Sequence, residues 1–272
     1  MRSAIFYDAL DRTFMPTPVD TSLLWGTLVL RPYVAAFLLV FLLAGARDLG
    51  LARVLGFLAW GFAVAFAAEW ASTRIGIPFG LYHYTGSTRG MELYLSNVPV
   101  FDSLSFPFLA YASFCLARWV LQSSRGPRLV LLAGVLMALL DVVIDPLAVR
   151  GDEWFLGRIF YYPAGGMYFG VPLSNFAGWL IVGWLIVGGH AWATKAPNGR
   201  DAGRVGLGIG LYYGVLAFNL VVTGWIGATR LLAAGILVHV GAALLLYGVS
   251  AWSRSARPGR IGPVRQGRTQ YP

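Results

Sequence analysis

The sequence predicts an all-α fold, a polytopic membrane helix bundle of about seven transmembrane helices in which two long aromatic- and glycine-rich loops cap one side. Hydrophobic residues make up 57% of the 272-residue chain and charged residues only 12%, whereas soluble domains carry about 25% charged residues. Several stretches run for about 20 residues with few charges, which is the length that an α-helix needs to cross the hydrocarbon core of a bilayer. A water-soluble fold could not bury so much apolar surface.

Seven apolar segments form a predicted transmembrane domain over residues 23–251, between an N-terminal tail (1–22) and a basic C-terminal tail (252–272) that we expect to be disordered. The first segment carries Arg31 followed by Pro32. This pair predicts either one kinked span or a surface helix that leads into a shorter span, and we favour the kinked span. The predicted spans are residues 23–44, 53–71, 99–120, 128–146, 173–193, 205–226 and 231–251.

Two of the predicted connections are long, residues 72–98 and 147–172, and both are rich in Gly, Tyr, Phe and Pro. Exposed loops rarely have this composition. Irregular backbone near a membrane is tolerated where it is buried in protein or lines a cavity. We therefore expect both connections to fold over, or dip into, one end of the helix bundle.

The basic residues predict how the chain is oriented. The net charge is +9, but the basic residues are scattered over short loops and the C-terminal tail, so the pattern indicates contact with membrane lipid and not with nucleic acid. With seven spans, thirteen of the 21 Lys and Arg residues fall on one side. The positive-inside rule predicts that this side, with the C-terminus, is cytoplasmic. We expect a multi-pass protein of the plasma membrane.

Other residue types limit the cofactors that the chain could use. Cys115 is the single cysteine, so neither an internal disulfide nor a cysteine metal cage can form. The single lysine, Lys195, falls in a loop-like stretch, which disfavours a retinal Schiff base. Since the sequence also lacks a nucleotide-binding glycine motif and a multi-histidine cluster, we expect no cofactor and no metal site.

Polar residues of the predicted spans gather at one depth, toward the outer side. Ionisable residues inside a membrane are costly and commonly mark function, although Asn219 and His239 also fit the hydrogen bonds that hold neighbouring helices together. Helix-end positions at the membrane interface are the ordinary alternative for Glu69 and Asp102. The residues at this depth are Glu69, Asp102, Asp141, Asp145, Asn175, Asn219 and His239.

Asp141 and Asp145 form the clearest chemical pattern. A spacing of four puts both carboxylates on one helical face, one turn apart, and Pro146 suits a chain that leaves the helix there. Two close carboxylates in an apolar setting cannot both ionise cheaply, so one should keep the proton that a general acid needs. We predict that this pair is the catalytic core, with Glu69 as the next candidate acid.

The same pair would also suit a magnesium site for a prenyl diphosphate, as in intramembrane prenyltransferases. Such a site needs further carboxylates, and basic groups to bind the diphosphate. The sequence has one aspartate pair with few arginines in the adjacent loop. We therefore rank this interpretation second.

Three sequence blocks resemble a known family. Residues 69–84, Glu-Trp-Ala-Ser-Thr-Arg-Ile-Gly-Ile-Pro-Phe-Gly-Leu-Tyr-His-Tyr, are similar to a Glu...Gly-x-Pro-Phe-Gly-x-Tyr-x-Tyr segment of the carotenoid biosynthesis integral membrane proteins. Residues 141–146 resemble their Asp-x-x-x-Asp-Pro, and residues 168–179 resemble their Gly-Val-Pro-x-x-Asn-x-x-Gly-Trp. The blocks occur in the family's order within about residues 30–250. The chain departs from the family after Val98-Pro99, where residues 102–106 read Asp-Ser-Leu-Ser-Phe and not a segment with tryptophan.

The resemblance implies a carotenoid 1,2-hydratase, since the family includes bisanhydrobacterioruberin hydratase and γ-carotene 1'-hydratase. Such an enzyme adds water across the terminal C1,C2 double bond of an acyclic carotenoid end group and gives a tertiary alcohol. The resemblance also implies a substrate of the lycopene, γ-carotene or bisanhydrobacterioruberin type and acid catalysis without a cofactor. Other carotenoid enzymes are candidate partners. A lycopene-type cyclase, a prenyltransferase, or a non-catalytic lipid-binding or transport protein remain the alternatives.

Aromatic and glycine residues of the two long loops complete the predicted site. Tyr82, Tyr84, Tyr168 and Trp179 are expected to line the pocket with Asp102, Asn175, Asn219 and His239 as substrate-binding residues. Aromatic residues also anchor ordinary membrane proteins, and glycine serves in any tight loop. The glycines expected to let backbone segments approach closely are Gly76, Gly80, Gly165, Gly166 and Gly170.

Overall fold

The computed structural model describes residues 21–194 and 204–255, with side chains as far as residue 251. This part of the chain contains eight α-helices. Six are long and apolar enough to cross a membrane, and the count is seven if the bent pair α1–α2 is one span. The predicted polytopic helix bundle is thus confirmed. The helices are α1 (Thr21–Leu30), α2 (Pro32–Asp48), α3 (Leu51–Ile75), α4 (Val100–Leu121), α5 (Pro127–Ala148), α6 (Leu173–Thr194), α7 (Gly206–Trp225) and α8 (Thr229–Ser255).

The chain breaks sharply at Arg31. The axes of α1 and α2 meet at 92°, because Arg31 leaves the helical region with φ −133° and ψ 61° and Pro32 starts the new helix at its first turn. Proline is well suited to that position, since the N–H that it lacks would have no partner in the first turn. The helix therefore breaks at nearly a right angle at the predicted position, Arg31-Pro32.

Helix α4 is the centre of the bundle. It packs against α2, α3, α5, α6, α7 and α8, and most of it is buried, whereas little of α8 is buried. Glycines allow α5 and α6 to approach closely: a Cβ added to Gly183 of α6 would lie 3.0 Å from the Cα of Gly134 in α5. Small residues commonly allow such close packing between membrane helices.

Helix α5 runs further than the sequence predicted. We expected the chain to leave the helix at Pro146, but α5 continues through Pro146 to Ala148. A proline in the last turn removes only one hydrogen bond, so a helix can continue briefly beyond it. The side chain of Arg150 then donates hydrogen bonds to the carbonyls of Pro146, at 2.5 Å, and Phe169, at 3.0 Å. These bonds tie the end of α5 to the following loop.

Two long loops, residues 76–99 and 149–172, cover the same end of the bundle, as predicted. They are joined by an antiparallel pair of short strands, β1 (His83–Tyr84) and β4 (Phe160–Tyr161), in which His83 pairs with Tyr161. Within the first loop, β2 (Tyr94–Leu95) pairs with β3 (Val98–Pro99). A short 3-10 helix, Gly151–Glu153, begins the second loop.

Some predictions fall on residues outside this description. Residues 1–20, 195–203 and 256–272 are not described, and they include most of both predicted tails and Lys195. The domain limits, the orientation and the choice of the plasma membrane remain predictions. The chain is a multi-pass membrane protein, with its two long loops at one end.

Candidate active site

A cavity lies beneath the two long loops, among α2, α3, α4, α5, α6 and α7. The space between its walls, including the open mouth, is about 920 Å³. Most of the wall is aromatic or aliphatic. The polar side chains that line it are Arg31, Glu69, Tyr82, Tyr84, Asp102, Ser105, Asp145, Tyr162, Asn175, Trp179 and Asn219.

Asp141 and Asp145 are joined by one amide. Asn175 Nδ2 donates to Asp141 Oδ2 at 2.6 Å and to Asp145 Oδ2 at 2.8 Å, and Trp179 Nε1 donates to Asp145 Oδ2 at 3.2 Å. Asp145 lines the cavity, whereas Asp141 is fully buried behind it. Asp141 Oδ1 has no hydrogen-bond partner among the described residues. The pair therefore has an inner member and a member that faces the cavity.

Glu69 is a second carboxylate that faces the cavity, from the last turns of α3. Tyr84 Oη donates to its Oε1 at 2.9 Å, and Ser103 Oγ donates to its Oε2. Burial raises the pKa of Tyr84 well above its ordinary value, and the negative charge of Glu69 raises it further. The phenol therefore keeps its proton at neutral pH and acts as a donor to Glu69.

Arg31 occupies one end of the cavity, at the break between α1 and α2. It forms ion pairs with Asp102 and, at 2.6 Å, with Glu92. The Arg31 side chain is 3% exposed and that of Glu92 is fully buried. Because these charges are shielded from water, each depends on the others for compensation.

Aromatic rings surround the carboxylates. Phe106 and Trp179 stack face to face, with ring centroids 4.4 Å apart and an interplanar angle of 14°. From the loops, Tyr82 packs edge-on against Tyr84 and Phe160, at 5.4 and 5.6 Å. Burial also raises the pKa of Tyr82 well above its ordinary value. The site thus combines a few carboxylates with several neutral aromatic faces.

Comparison with known proteins gives the family. The family model described as "Carotenoid biosynthesis protein" matches residues 25–247, which is most of the chain. The chain belongs to the carotenoid biosynthesis protein family. No solved structure matches it.

A curated relative of this carotenoid biosynthesis protein is bisanhydrobacterioruberin hydratase of Haloarcula japonica. The two are 33% identical over 163 residues, which cover 59% of this chain and 50% of the relative. The chain therefore spans about half of the length of that relative. The match confirms the family resemblance that the three sequence blocks predicted.

Most of the predicted site residues of this carotenoid biosynthesis protein meet in the cavity, although Asp141, Tyr168 and His239 do not line it. Tyr168 packs against Phe169 and Phe176, with its hydroxyl buried and without a partner among the described residues. The His239 Nδ1 lies 2.9 Å from the carbonyl of Gly235 within α8. The predicted residues that line the cavity are Glu69, Asp102, Asp145, Asn175, Tyr82, Tyr84, Trp179 and Asn219.

Two of the predicted glycines lie close to residues 171–174, Gly166 against the backbone and Gly80 against side chains. A Cβ on Gly166 would lie 2.0 Å from the carbonyl carbon of Val171, and one on Gly80 would lie 2.8 Å from Ser174 Oγ. Gly76, Gly165 and Gly170 have positive φ of 75°, 62° and 94°. A positive φ is a conformation that glycine adopts at little cost.

Sequence reasoning missed Arg31 and Glu92 as site residues. Arg31 was considered only as a helix breaker, yet it lines the cavity and pairs with Glu92 from the first loop. An arginine inside an apolar segment was the available signal, because such a charge needs a buried partner. Nothing in the local sequence identified Glu92 as that partner, 61 residues away.

Proposed function

We propose that this protein is a carotenoid hydratase that adds water across the terminal C1,C2 double bond of an acyclic carotenoid end group. The observation that carries the proposal is that Asp145 and Glu69, on different helices, line one cavity with aromatic walls. Membership of the carotenoid biosynthesis family supports a carotenoid as the substrate class. The name of the Haloarcula japonica relative supports hydration as the reaction.

The first step is proton transfer to carbon. Asp141 and Asp145 share the amide of Asn175, and two carboxylates so close in an apolar setting share one proton at little cost. Asp145 is the member that faces the cavity. It donates this proton to C2, the π electrons form the new C2–H bond, and a tertiary cation develops at C1.

Aromatic faces stabilise the cation. The Phe106–Trp179 stack and the Tyr82 ring line the same cavity as Asp145. The negative face of an aromatic ring attracts a nearby cation, and the attraction is stronger where water is excluded. The same walls exclude bulk water, which would otherwise compete for the cation.

The second step is attack by one water molecule. Glu69, held by Tyr84 and Ser103, accepts a proton from this water as its oxygen bonds to C1. The product carries a hydroxyl on C1 and an added hydrogen on C2. Transfer of a proton from Glu69 back to Asp145 restores the starting state. The sum is the addition of one water without oxidation or reduction.

The test is to co-express the protein in cells that make an acyclic carotenoid and to measure pigment masses. We expect pigments heavier by one or two waters. Asp145→Asn and Glu69→Gln should lower product formation by roughly 10²- to 10⁴-fold, the usual contribution of a general acid or base. The matched controls are Asp152→Asn and Glu153→Gln, because both residues are exposed in the second loop.

Isotope labelling separates the competing reactions. In oxygen-labelled water the new hydroxyl should carry the label, and a hydroxyl oxygen from O₂ would refute hydration. A product of unchanged mass would indicate a cyclase. A Mg²⁺-dependent product enlarged by a prenyl group would indicate a prenyltransferase, and no covalent change in any pigment would indicate a binding or transport protein.

A further inference from the structure

A contiguous set of six aromatic rings extends from the cavity to the outside of the bundle. Successive ring centroids lie 5.9 Å apart for Phe108–Phe37, 5.8 Å for Phe37–Phe218 and 4.8 Å for Phe218–Tyr33. The set continues outward with Tyr33–Phe155 at 5.8 Å and Phe155–Trp225 at 6.4 Å. We call these six residues the aromatic ladder.

The aromatic ladder connects the cavity with the surroundings of the bundle. Phe108, Phe37, Phe218 and Tyr33 line the cavity. At the other end, Phe155 is 53% exposed and Trp225 is 68% exposed. The ladder follows the line where α2 meets α7, since Tyr33 and Phe37 belong to α2 and Phe218 to α7.

The ladder is chemically distinct from the carboxylate part of the cavity. All six of its side chains are neutral rings, and it shares only one helix with the carboxylates Glu69, Asp102 and Asp145, since Phe108 and Asp102 both belong to α4. Trp154 supports the ladder: its Nε1 donates to the carbonyl of Leu147 at 3.2 Å, and its ring packs edge-on against Phe155 at 4.9 Å. The supported rings form an ordered apolar wall.

A carotenoid is too long to fit inside the cavity. Its extended chain is about as long as the hydrocarbon core of a bilayer is thick, whereas the interior volume of the cavity, without its open mouth, is only about 140 Å³. When the end group is at the carboxylates, the rest of the molecule must leave the cavity. An apolar chain leaves at low cost only along an apolar path that reaches lipid.

We infer that the aromatic ladder is the binding site for the conjugated polyene chain of the substrate, which passes between α2 and α7 to the lipid. A flat conjugated chain has a π face along its whole length, so it packs against rings at these spacings with the contacts that aromatic pairs make. The identity of the ligand as a polyene rests on the proposed function, but the ladder itself does not require hydration.

The test measures binding without reaction. The purified protein in lipid nanodiscs is titrated with an acyclic polyene whose terminal double bonds are saturated, which therefore cannot be hydrated. Binding is followed by quenching of tryptophan fluorescence and by the circular dichroism that the bound polyene acquires in its visible absorption band. Phe218→Leu and Phe155→Leu each remove a ring and keep an apolar side chain. Each should weaken binding by roughly threefold to tenfold, the contribution of one aromatic contact.

The matched control is Phe62→Leu. Phe62 is half-buried like Phe218 and stacks on Phe66 at 6.3 Å, but it does not line the cavity. The Phe62→Leu substitution should leave the dissociation constant of the polyene unchanged. The inference is overturned if Phe218→Leu and Phe155→Leu bind like the wild type, or if Phe62→Leu weakens binding equally. Phe155 lies in a loop and is half exposed, so its variant remains informative if Phe218→Leu folds poorly.

Different results would refute the proposed function and the proposed polyene site. Polyene binding that depends on the ladder, in a protein that hydrates no carotenoid, would refute the proposed function and support the ladder. Hydration that is normal in Phe218→Leu and Phe155→Leu at limiting substrate would refute the ladder and leave the proposed function intact.

Discussion

Replacing Arg31 by methionine should destabilise the protein strongly. Arg31 is the positive partner of two carboxylates, Glu92 and Asp102. Thr88 Oγ1 also donates to Glu92 Oε1, but Glu92 Oε2 has no partner among the described residues. Methionine keeps an apolar stem of similar length and removes the charge, so the buried carboxylate of Glu92 and the 17% exposed carboxylate of Asp102 lose their compensation.

The expected loss is about 3–5 kcal/mol of unfolding free energy, the usual cost of removing one partner of a buried ion pair. For a chain of this size the loss corresponds to a fall of roughly 6–20 °C in the unfolding temperature. Burial raises the pKa of Glu92 from its ordinary 4.5, and the Arg31 charge partly opposes that rise.

The loss should depend on pH. Without Arg31 the pKa of Glu92 rises further. A carboxyl with a raised pKa binds more protons in the folded than in the unfolded state between its two pKa values, so folding becomes less stable as the pH increases through that range. The defect of Arg31→Met should therefore be largest at neutral pH and should shrink as the pH falls toward 4.5, the ordinary value of Glu92.

Thermal unfolding in detergent at two pH values measures both effects. Arg89→Met is the matched control, because Arg89 is an exposed arginine in the loop that also contains Glu92. Arg31→Met combined with Glu92→Gln and Asp102→Asn should recover most of the loss, since no buried charge is then left uncompensated. An unfolding temperature of Arg31→Met within about 2 °C of the Arg89→Met value would refute the reasoning.

Three further substitutions test the site and the loop above it. Asn175→Ala removes the amide that donates to Asp145 and should lower product formation by roughly a hundredfold, measured by chromatography of extracted pigments. Trp179→Phe keeps a ring and loses the Nε1–H donor to Asp145, so kcat should fall roughly tenfold with little change in KM. Gly166→Ala would place a Cβ 2.0 Å from the carbonyl carbon of Val171 and should lower the unfolding temperature by several degrees.

The tryptophan and glycine variants each have a control of the same residue type. Trp192→Phe changes a tryptophan that is 85% exposed, and Gly56→Ala changes a helical glycine with no atom within 4 Å of the added Cβ. Both should behave like the wild type. A Trp179→Phe enzyme with unchanged kcat would show that the indole donor is not needed. Gly166→Ala with the stability of Gly56→Ala would show that the loop adapts without cost.

Much of the fold could be predicted from hydropathy. Each long apolar segment became a helix within a few residues of its predicted limits, because a segment of about 20 apolar residues in a bilayer can satisfy its backbone only as a helix. The exceptions lie at prolines. At Pro32 the helix breaks at 92°, and at Pro146 the helix continues. A proline permits either outcome, and the contacts around it select one.

Part of the site could also be predicted, because polar residues in apolar segments are few and costly. Seven residues were predicted to share one depth, and all except Asp141 and His239 line one cavity. The prediction could not separate Asp145 from Asp141. Both lie on one helical face, and only the packing of the neighbouring helices puts one at the cavity and the other behind it.

Hydropathy and residue spacing were sufficient to predict the class of protein, the approximate helix limits and the family-like blocks. These features depend on the composition of each segment and on the free energy of its transfer from water into the bilayer. The partners of Arg31, the stack of Phe106 on Trp179 and the aromatic ladder join residues far apart in the chain. Which distant side chains meet depends on how helices rotate and pack against one another. Single-segment periodicity carries no information on that packing, so these features are known only from the folded bundle.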